Sequence, residues 1–140
     1  MKRIRNQRGA ALLETAITLP LVLLVTVSIF EFGRAYQTWQ VITNAAREGA
    51  RISIIAGTTD GQVTNAVRSY MEGGQLREAG SAAITVQRNV PFGNTTASSI
   101  RVAYPFNFTV LNPVIRLIQS NSTTGRGTTT MVSSALMRNE

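Results

Sequence analysis

The sequence predicts an α+β chain in which one long N-terminal helix, transmembrane and then amphipathic, packs on a small antiparallel sheet. Three observations predict it. From Ala10 to Phe30 there are 21 residues whose only charge is Glu14. Apolar residues then recur at spacings of three or four as far as Ile54, which is a helical period. After Gly80 the apolar period falls to two, which is that of strands.

The apolar run comes first. At a rise of ~1.5 Å per residue it spans roughly 31 Å, about the hydrocarbon thickness of a bilayer. Leu19-Pro20-Leu21-Val22-Leu23-Leu24-Val25 is too apolar for a surface helix. Pro20 removes one helical hydrogen bond and is expected to bend the axis, which membrane helices tolerate. Lys2, Arg3, Arg5 and Arg8 precede the run and no basic residue follows it immediately, so the N-terminus is placed in the cytoplasm and the C-terminal part outside. The chain is thus read as a single-pass inner (cytoplasmic) membrane protein. A cleaved secretory signal peptide competes, but its apolar region is only ~7–15 residues long and ends in a small-x-small site. Here the run passes straight into Glu31-Phe32-Gly33-Arg34.

Glu14 has two readings. A carboxylate costs on the order of 2.5–3.5 kcal/mol at mid-bilayer and less near the interface. Glu14 lies four residues after Ala10, so it either snorkels to the cytoplasmic headgroups or awaits a positive partner inside an assembly.

The next stretch continues the helix. Phe32, Tyr36 (or Ala35), Trp39, Ile42, Ala46, Ala50 and Ile54 form one apolar stripe, opposite Arg34, Gln37, Gln40, Asn44 and Arg47. Tyr36 and Trp39 fit an interfacial aromatic belt or ordinary core better than a ligand site. Ala45/Gly49 and Ala46/Ala50 are small pairs four apart, where another element has room to approach closely. Gly57 breaks the pattern. Thr59 and Gln62 match a capping box, which opens a second helix with Val63, Ala66, Val67 and Tyr70 on its apolar side. Its end falls at Gly73-Gly74 or near Gly80.

Two strands follow, Ala82, Ile84 and Val86 marking the first and Ile100, Val102, Tyr104, Phe106 and Phe108 the second. Pro91 to Thr96 between them reads as a hairpin loop. Asn112-Pro113 fits an N-cap followed by Pro at N1 of a short amphipathic helix reaching Ile118. A Ser/Thr/Gly-rich loop and a third strand, Thr128 to Met137, complete the chain.

Composition limits the function classes. The 140 residues are 44% hydrophobic and 15% charged, which permits one domain. Beyond the apolar block about 100 residues remain, enough for a modest core. There is no Cys and no His, so disulfides, thiolate chemistry and the commonest general base and metal ligand are missing. Asp60 is the only aspartate and the glutamates are dispersed. No catalytic residue, metal site or cofactor is assigned, and the chain is read as a non-enzyme. The net charge is +7, but four of the 14 basic residues lie in the first nine positions; without them 10 bases face 7 acids. That balance, scattered rather than clustered, argues against nucleic acid as a partner. The Asn-x-Ser/Thr triplets at Asn94, Asn107 and Asn121 are taken as chance.

One set of residues carries a family resemblance. Arg8-Gly9-Ala10-Ala11-Leu12-Leu13-Glu14 resembles a type IV prepilin processing site. Joined to Leu19-Pro20, Glu31-Phe32-Gly33-Arg34-Ala35 and Asn44-Ala45-Ala46-Arg47-Glu48-Gly49-Ala50-Arg51, it resembles the TadE-like pseudopilins of the tight-adherence (Flp pilus) system over about residues 8–51. The resemblance implies a type IV pilin-like fold and a division into a basic leader (1–9), a transmembrane helix (10–32) and an extracytoplasmic domain (33–140), periplasmic or extracellular. It also implies cleavage of the Gly9–Ala10 bond by a prepilin peptidase. Glu14 would serve processing or assembly, by pairing with the freed α-amino group of a neighbouring subunit. Thr15 stands where the major pilins usually carry Tyr, which points to a minor pilin or pseudopilin. Implied partners are the peptidase, other pilins and pseudopilins, the inner-membrane assembly platform and membrane lipid, and the implied work is pilus assembly and adhesion. The alternative is an unprocessed membrane anchor whose outer domain binds a partner or surface.

Overall fold

A single helix, α1, runs from Gln7 to Ser53 in the computed structural model, which describes residues 7–118 and 128–139. Lys2, Arg3 and Arg5 of the basic leader lie outside the described residues, as do Asn121 and most of the Ser/Thr/Gly-rich stretch, and Arg8 enters as backbone alone. At ~1.5 Å per residue α1 is about 70 Å long. It passes through Pro20 without interruption. The four hydroxyls of its apolar run are satisfied within the helix. Thr15 donates to Ala11 O, Thr18 to Glu14 O, Thr26 to Val22 O and Ser28 to Leu24 O, at 2.8–2.9 Å. No hydroxyl of that run needs water.

Gly57, at φ +82°, breaks the chain after α1 where the sequence predicts it. The second helix, α2 (Asp60–Gly73), opens with the predicted capping box: Gln62 N–H donates to Thr59 Oγ1 at 3.3 Å and Thr59 N–H to Gln62 Oε1 at 2.9 Å. It ends at the first of the two expected points, with Gly74 as cap. Its inner face is Val63, Val67 and Met71. Tyr70, expected on that side, is exposed. The buried steps 63, 67 and 71 drift around the helix away from Tyr70, which is left at the outer edge of that face.

A short 3₁₀ turn (Ala79–Ser81) leads into a three-stranded antiparallel sheet of β1 (Ala83–Phe92), β2 (Thr95–Phe106) and β3 (Thr129–Arg138), with β2 in the middle. The expected loop of 91–96 is shorter. Pro91 pairs with Thr96 and Phe92 with Thr95, which leaves Gly93-Asn94 as the turn. Gly93 at φ +60° followed by Asn94 fits a type II′ hairpin, and β1 tolerates Pro91 because it is an edge strand. Ile100, Val102, Tyr104 and Phe106 all point into the core, whereas Phe108 lies past the strand end. Helix α3 (Leu111–Ile118) starts two residues earlier than predicted. Val114 N–H bonds to Val110 O, and the Asn112 amide reaches Asn107 Oδ1 at 3.3 Å instead of capping its own helix.

The core lies between α1, α2 and the inner sheet face. Ile42, Val63, Val67, Met71, Ile100 and Val102 are fully buried, each contributing about 1.5–3 kcal/mol of burial free energy. The α1 stripe is rotated from its predicted phase. Ala35, Thr38, Ile42, Ala45, Ala46, Gly49, Ala50 and Ser53 are buried, while Phe32, Tyr36 and Trp39 face outward and Ile54 is half-buried. Of the two options at that turn, Ala35 is the inward one. The small pairs do admit a neighbour: a Cβ added at Gly49 would stand 2.5 Å from Val67 Cγ2 and 3.2 Å from Ile100 Cγ2.

A bulge fixes the far corner. Between the pairs Gln87/Ser99 and Val90/Ala97, β1 holds one residue more than β2, and Asn89 adopts φ +57°. Arg88, in the bulge, reaches the α1–α2 junction. It donates to Ser53 O and Thr58 O at 2.8 Å and to Asp60 Oδ1 at 2.6 Å. One guanidinium thus caps the carbonyl end of α1 and pairs with the acid in the first turn of α2.

Candidate functional site

The candidate surface is α1 itself. From Gly9 to Thr26 every described side chain is exposed, including Leu12, Leu13, Ile17, Leu19 and Leu21 to Val25. The helix is long and apolar enough there to cross a membrane. Gly9 and Ala10 are exposed and lie within the first described turns of the helix. Glu14 is also exposed and has no ion-pair partner among the described residues. From Glu14 to Glu31 the helix rises about 26 Å, and no charge lies between the two acids.

At Glu31 the surroundings change. Its carboxylate is buried, with only 6% of the residue exposed. Glu31 Oε1 accepts from Arg34 Nη2 at 3.2 Å, and Oε2 accepts from Val110 N–H at 3.4 Å. Arg34 Nη2 donates further to Asn107 O at 2.5 Å and Thr109 Oγ1 at 3.3 Å. The guanidinium carbon lies 4.5 Å from the centre of the Phe106 ring, a cation–π distance. Phe108 meets Phe106 edge-on at 5.0 Å and Phe32 at 6.1 Å. Glu31, Phe32 and Arg34 therefore form a collar where α1 leaves its apolar half, and the collar grips the β2–α3 connector. Gly33 touches nothing: a Cβ there would meet no atom within 4 Å.

The second motif splits by face. Ala45, Ala46, Gly49 and Ala50 are buried against α2 and the sheet. Asn44, Arg47, Glu48 and Arg51 turn outward in pairs three apart. Arg47 Nη1 donates to Asn44 Oδ1 at 3.3 Å, and Arg51 donates to both Glu48 oxygens at 2.9 and 2.6 Å. The hydrogen bonds from Arg51 hold the Glu48 carboxyl below the usual glutamate range, against a smaller desolvation effect, and Glu48 in turn raises Arg51.

Both motifs lie within the region that comparison with known families picks out. Residues 9–51 match the family model described as TadE-like protein. This segment is TadE-like. The match ends two residues before the end of α1, so the TadE-like segment comprises the apolar half, the collar and the small-residue packing face, while α2 and the sheet lie beyond it. With the long helix and three-stranded antiparallel sheet, it is consistent with a TadE-like protein of the Tad system, of α+β, pilin-like architecture. No curated protein and no solved structure matches the chain.

The TadE-like segment also carries an outward ridge. Phe32, Tyr36 and Trp39 are 61%, 60% and 46% exposed and follow one another at helical spacing, with the Tyr36 and Trp39 rings 6.3 Å apart. These are not core residues. Sequence reasoning missed the buried role of Glu31; the available signal was an acid three positions before an Arg at the end of an apolar run. It also missed Arg88, whose partners lie 28–35 positions away.

Proposed function

We propose that the chain is a minor pilin or pseudopilin that supports assembly of a Tad/Flp type IVb pilus, or of its secretion machinery, through protein–protein contacts. The outward ridge of the TadE-like segment carries the reading. Measured from Phe30 along the helix, Phe32 rises about 3 Å, Tyr36 about 9 Å and Trp39 about 13 Å. The headgroup layer is only about 5–8 Å deep on each side. An aromatic belt accounts for Phe32 and brings Tyr36 near its limit, but Trp39 stands beyond lipid. An exposed aromatic row continuous with an exposed apolar helix suits a neighbouring protein subunit.

In this reading residues 1–9 are a cytoplasmic leader, 10–32 the membrane span and 33–140 the outer domain. A prepilin peptidase cuts Gly9–Ala10. Gly costs a helix up to ~1 kcal/mol relative to Ala, which eases local unwinding at that bond. Glu14 lies about 6 Å along the axis from Ala10, close enough to the inner face to meet the new α-amino group of an adjacent subunit. Two opposite charges together offset a burial cost that neither bears well alone. Other pilins, pseudopilins and the inner-membrane platform are the partners, and adhesion is the outcome.

Mass spectrometry of the mature N-terminus tests this. Ala10 as first residue is expected, and Met1 would assign the chain as an unprocessed anchor instead. Replacing Gly9 or Glu14 is expected to change protein size or abolish surface pili; unchanged size with normal pili in both variants would remove the reading.

A further inference from the structure

We propose that α3 is an interfacial helix that rests on the outer leaflet of the membrane beside the exit of α1; this builds on the reading that residues 10–32 span the bilayer. Two observations support that level. Along the apolar run all described residues are exposed as far as Thr26, and then Val27 and Ser28 become half-covered, one turn before Glu31. Val110, the residue that opens α3, is hydrogen-bonded to Glu31 itself. The start of α3 is therefore held level with the last turn of the apolar run, where a span begun at Ala10 reaches the bilayer surface.

The chemistry of α3 fits that level. Leu111, Val114 and Ile115 recur at the i, i+3 and i+4 positions of one helical face, with Pro113 and Arg116 exposed on the other. Leu111, Val114 and Ile115 are only half-buried, and Val110 is 39% exposed. No other helix or strand among the described residues packs extensively on α3. Interfacial helices bury such a face about 5–10 Å into the headgroup and acyl boundary. A lipid surface is the occupant committed to, because Val110 ties the start of this apolar face to Glu31, at the end of the apolar run.

The chain has no cysteine, so single cysteines report one place each. Ile115→Cys, Val110→Cys, Val25→Cys and Tyr70→Cys variants of the full chain would be spin-labelled and reconstituted into phosphatidylcholine–phosphatidylglycerol vesicles. The relative accessibility to oxygen and to a water-soluble nickel complex would then be read at each. The ratio at 115 is expected to be several-fold above that at 70 and below that at 25, with 110 also above 70. Water-like ratios at both 110 and 115, with 25 still deep, would overturn the interfacial helix while leaving the span intact. Water-like behaviour at 25 as well would overturn both. Spin–spin broadening at 115 that vanishes on dilution with unlabelled protein would assign the face to a second copy, and lipid docking would be wrong.

Discussion

The buried carboxylate of Glu31 accepts a hydrogen bond from the backbone N–H of Val110, 79 positions later in the chain. Arg34, one turn on, donates to Asn107 O of the same connector. The acid and the base of the Glu-Phe-Gly-Arg motif thus act as one clasp, and their mutual ion pair is only part of its function.

Breaking the clasp tests that account. Arg34→Ala is expected to lower stability by about 1–2 kcal/mol, since bonds to a charged donor are lost but the group is partly solvated. It should also speed proteolytic cleavage between Asn107 and Ile118. Arg34→Lys should restore little, because a point charge cannot reach Glu31, Asn107 and Thr109 while lying on the Phe106 ring. Limited proteolysis and thermal unfolding in detergent measure both effects.

Two glycines of the TadE-like segment should respond in opposite directions. Gly49→Ala drives a methyl group into Val67 and Ile100, and overpacking costs about 1–3 kcal/mol. A small gain in helix propensity leaves a net loss. Gly33→Ala meets open space and should stabilise by about 0.5–1 kcal/mol. Denaturant midpoints compare the two. If Gly33→Ala is stable yet abolishes pili, a partner subunit packs closely at that position.

The Arg88 clasp at the opposite end predicts a local effect. Arg88→Met removes three hydrogen bonds and is expected to cost about 2 kcal/mol. Amide exchange should accelerate most in residues 54–60, the junction whose carbonyls Arg88 caps.

The Glu48–Arg51 pair should matter only above acid pH. The folded Glu48 carboxyl titrates below its ordinary value, so the stabilisation is present above that value and fades as pH falls through the lowered one. Glu48→Gln is expected to be slightly less stable than the parent at neutral pH and equal to it in acid, a difference smaller than for the other substitutions because the pair is exposed. Thermal melts across that pH range would show it.

The sequence made the backbone plan legible where a local rule governs. Thr59 and Gln62 fixed the start of α2, Gly57 the end of α1, and the alternation from Ile100 to Phe106 the buried face of β2. The phase of α1 was misread because apolar size was taken to mean burial. In a helix whose outward side faces lipid or another subunit, Phe32, Tyr36 and Trp39 belong outside, and Ala, Thr and Gly line the inside so that α2 and the sheet approach closely. Of the candidate site, the motif residues of the TadE-like segment were found, but not what they touch. Apart from the local Glu31–Arg34 pair, the partners of Glu31, Arg34 and Arg88 lie 28 or more positions away, several of them backbone groups, and nothing local in the sequence announces those.

Because α1 runs as one uninterrupted helix from Glu14 to the sheet, the compass bearing of that acid is tied to the outer domain. Each residue advances the helix by about 100°. Inserting a single alanine between Val25 and Thr26 would therefore swing Glu14 by more than a quarter turn relative to the collar and the aromatic ridge, with every contact outside the membrane preserved. Two subunits that meet along the outer ridge would then present their acids in the wrong direction.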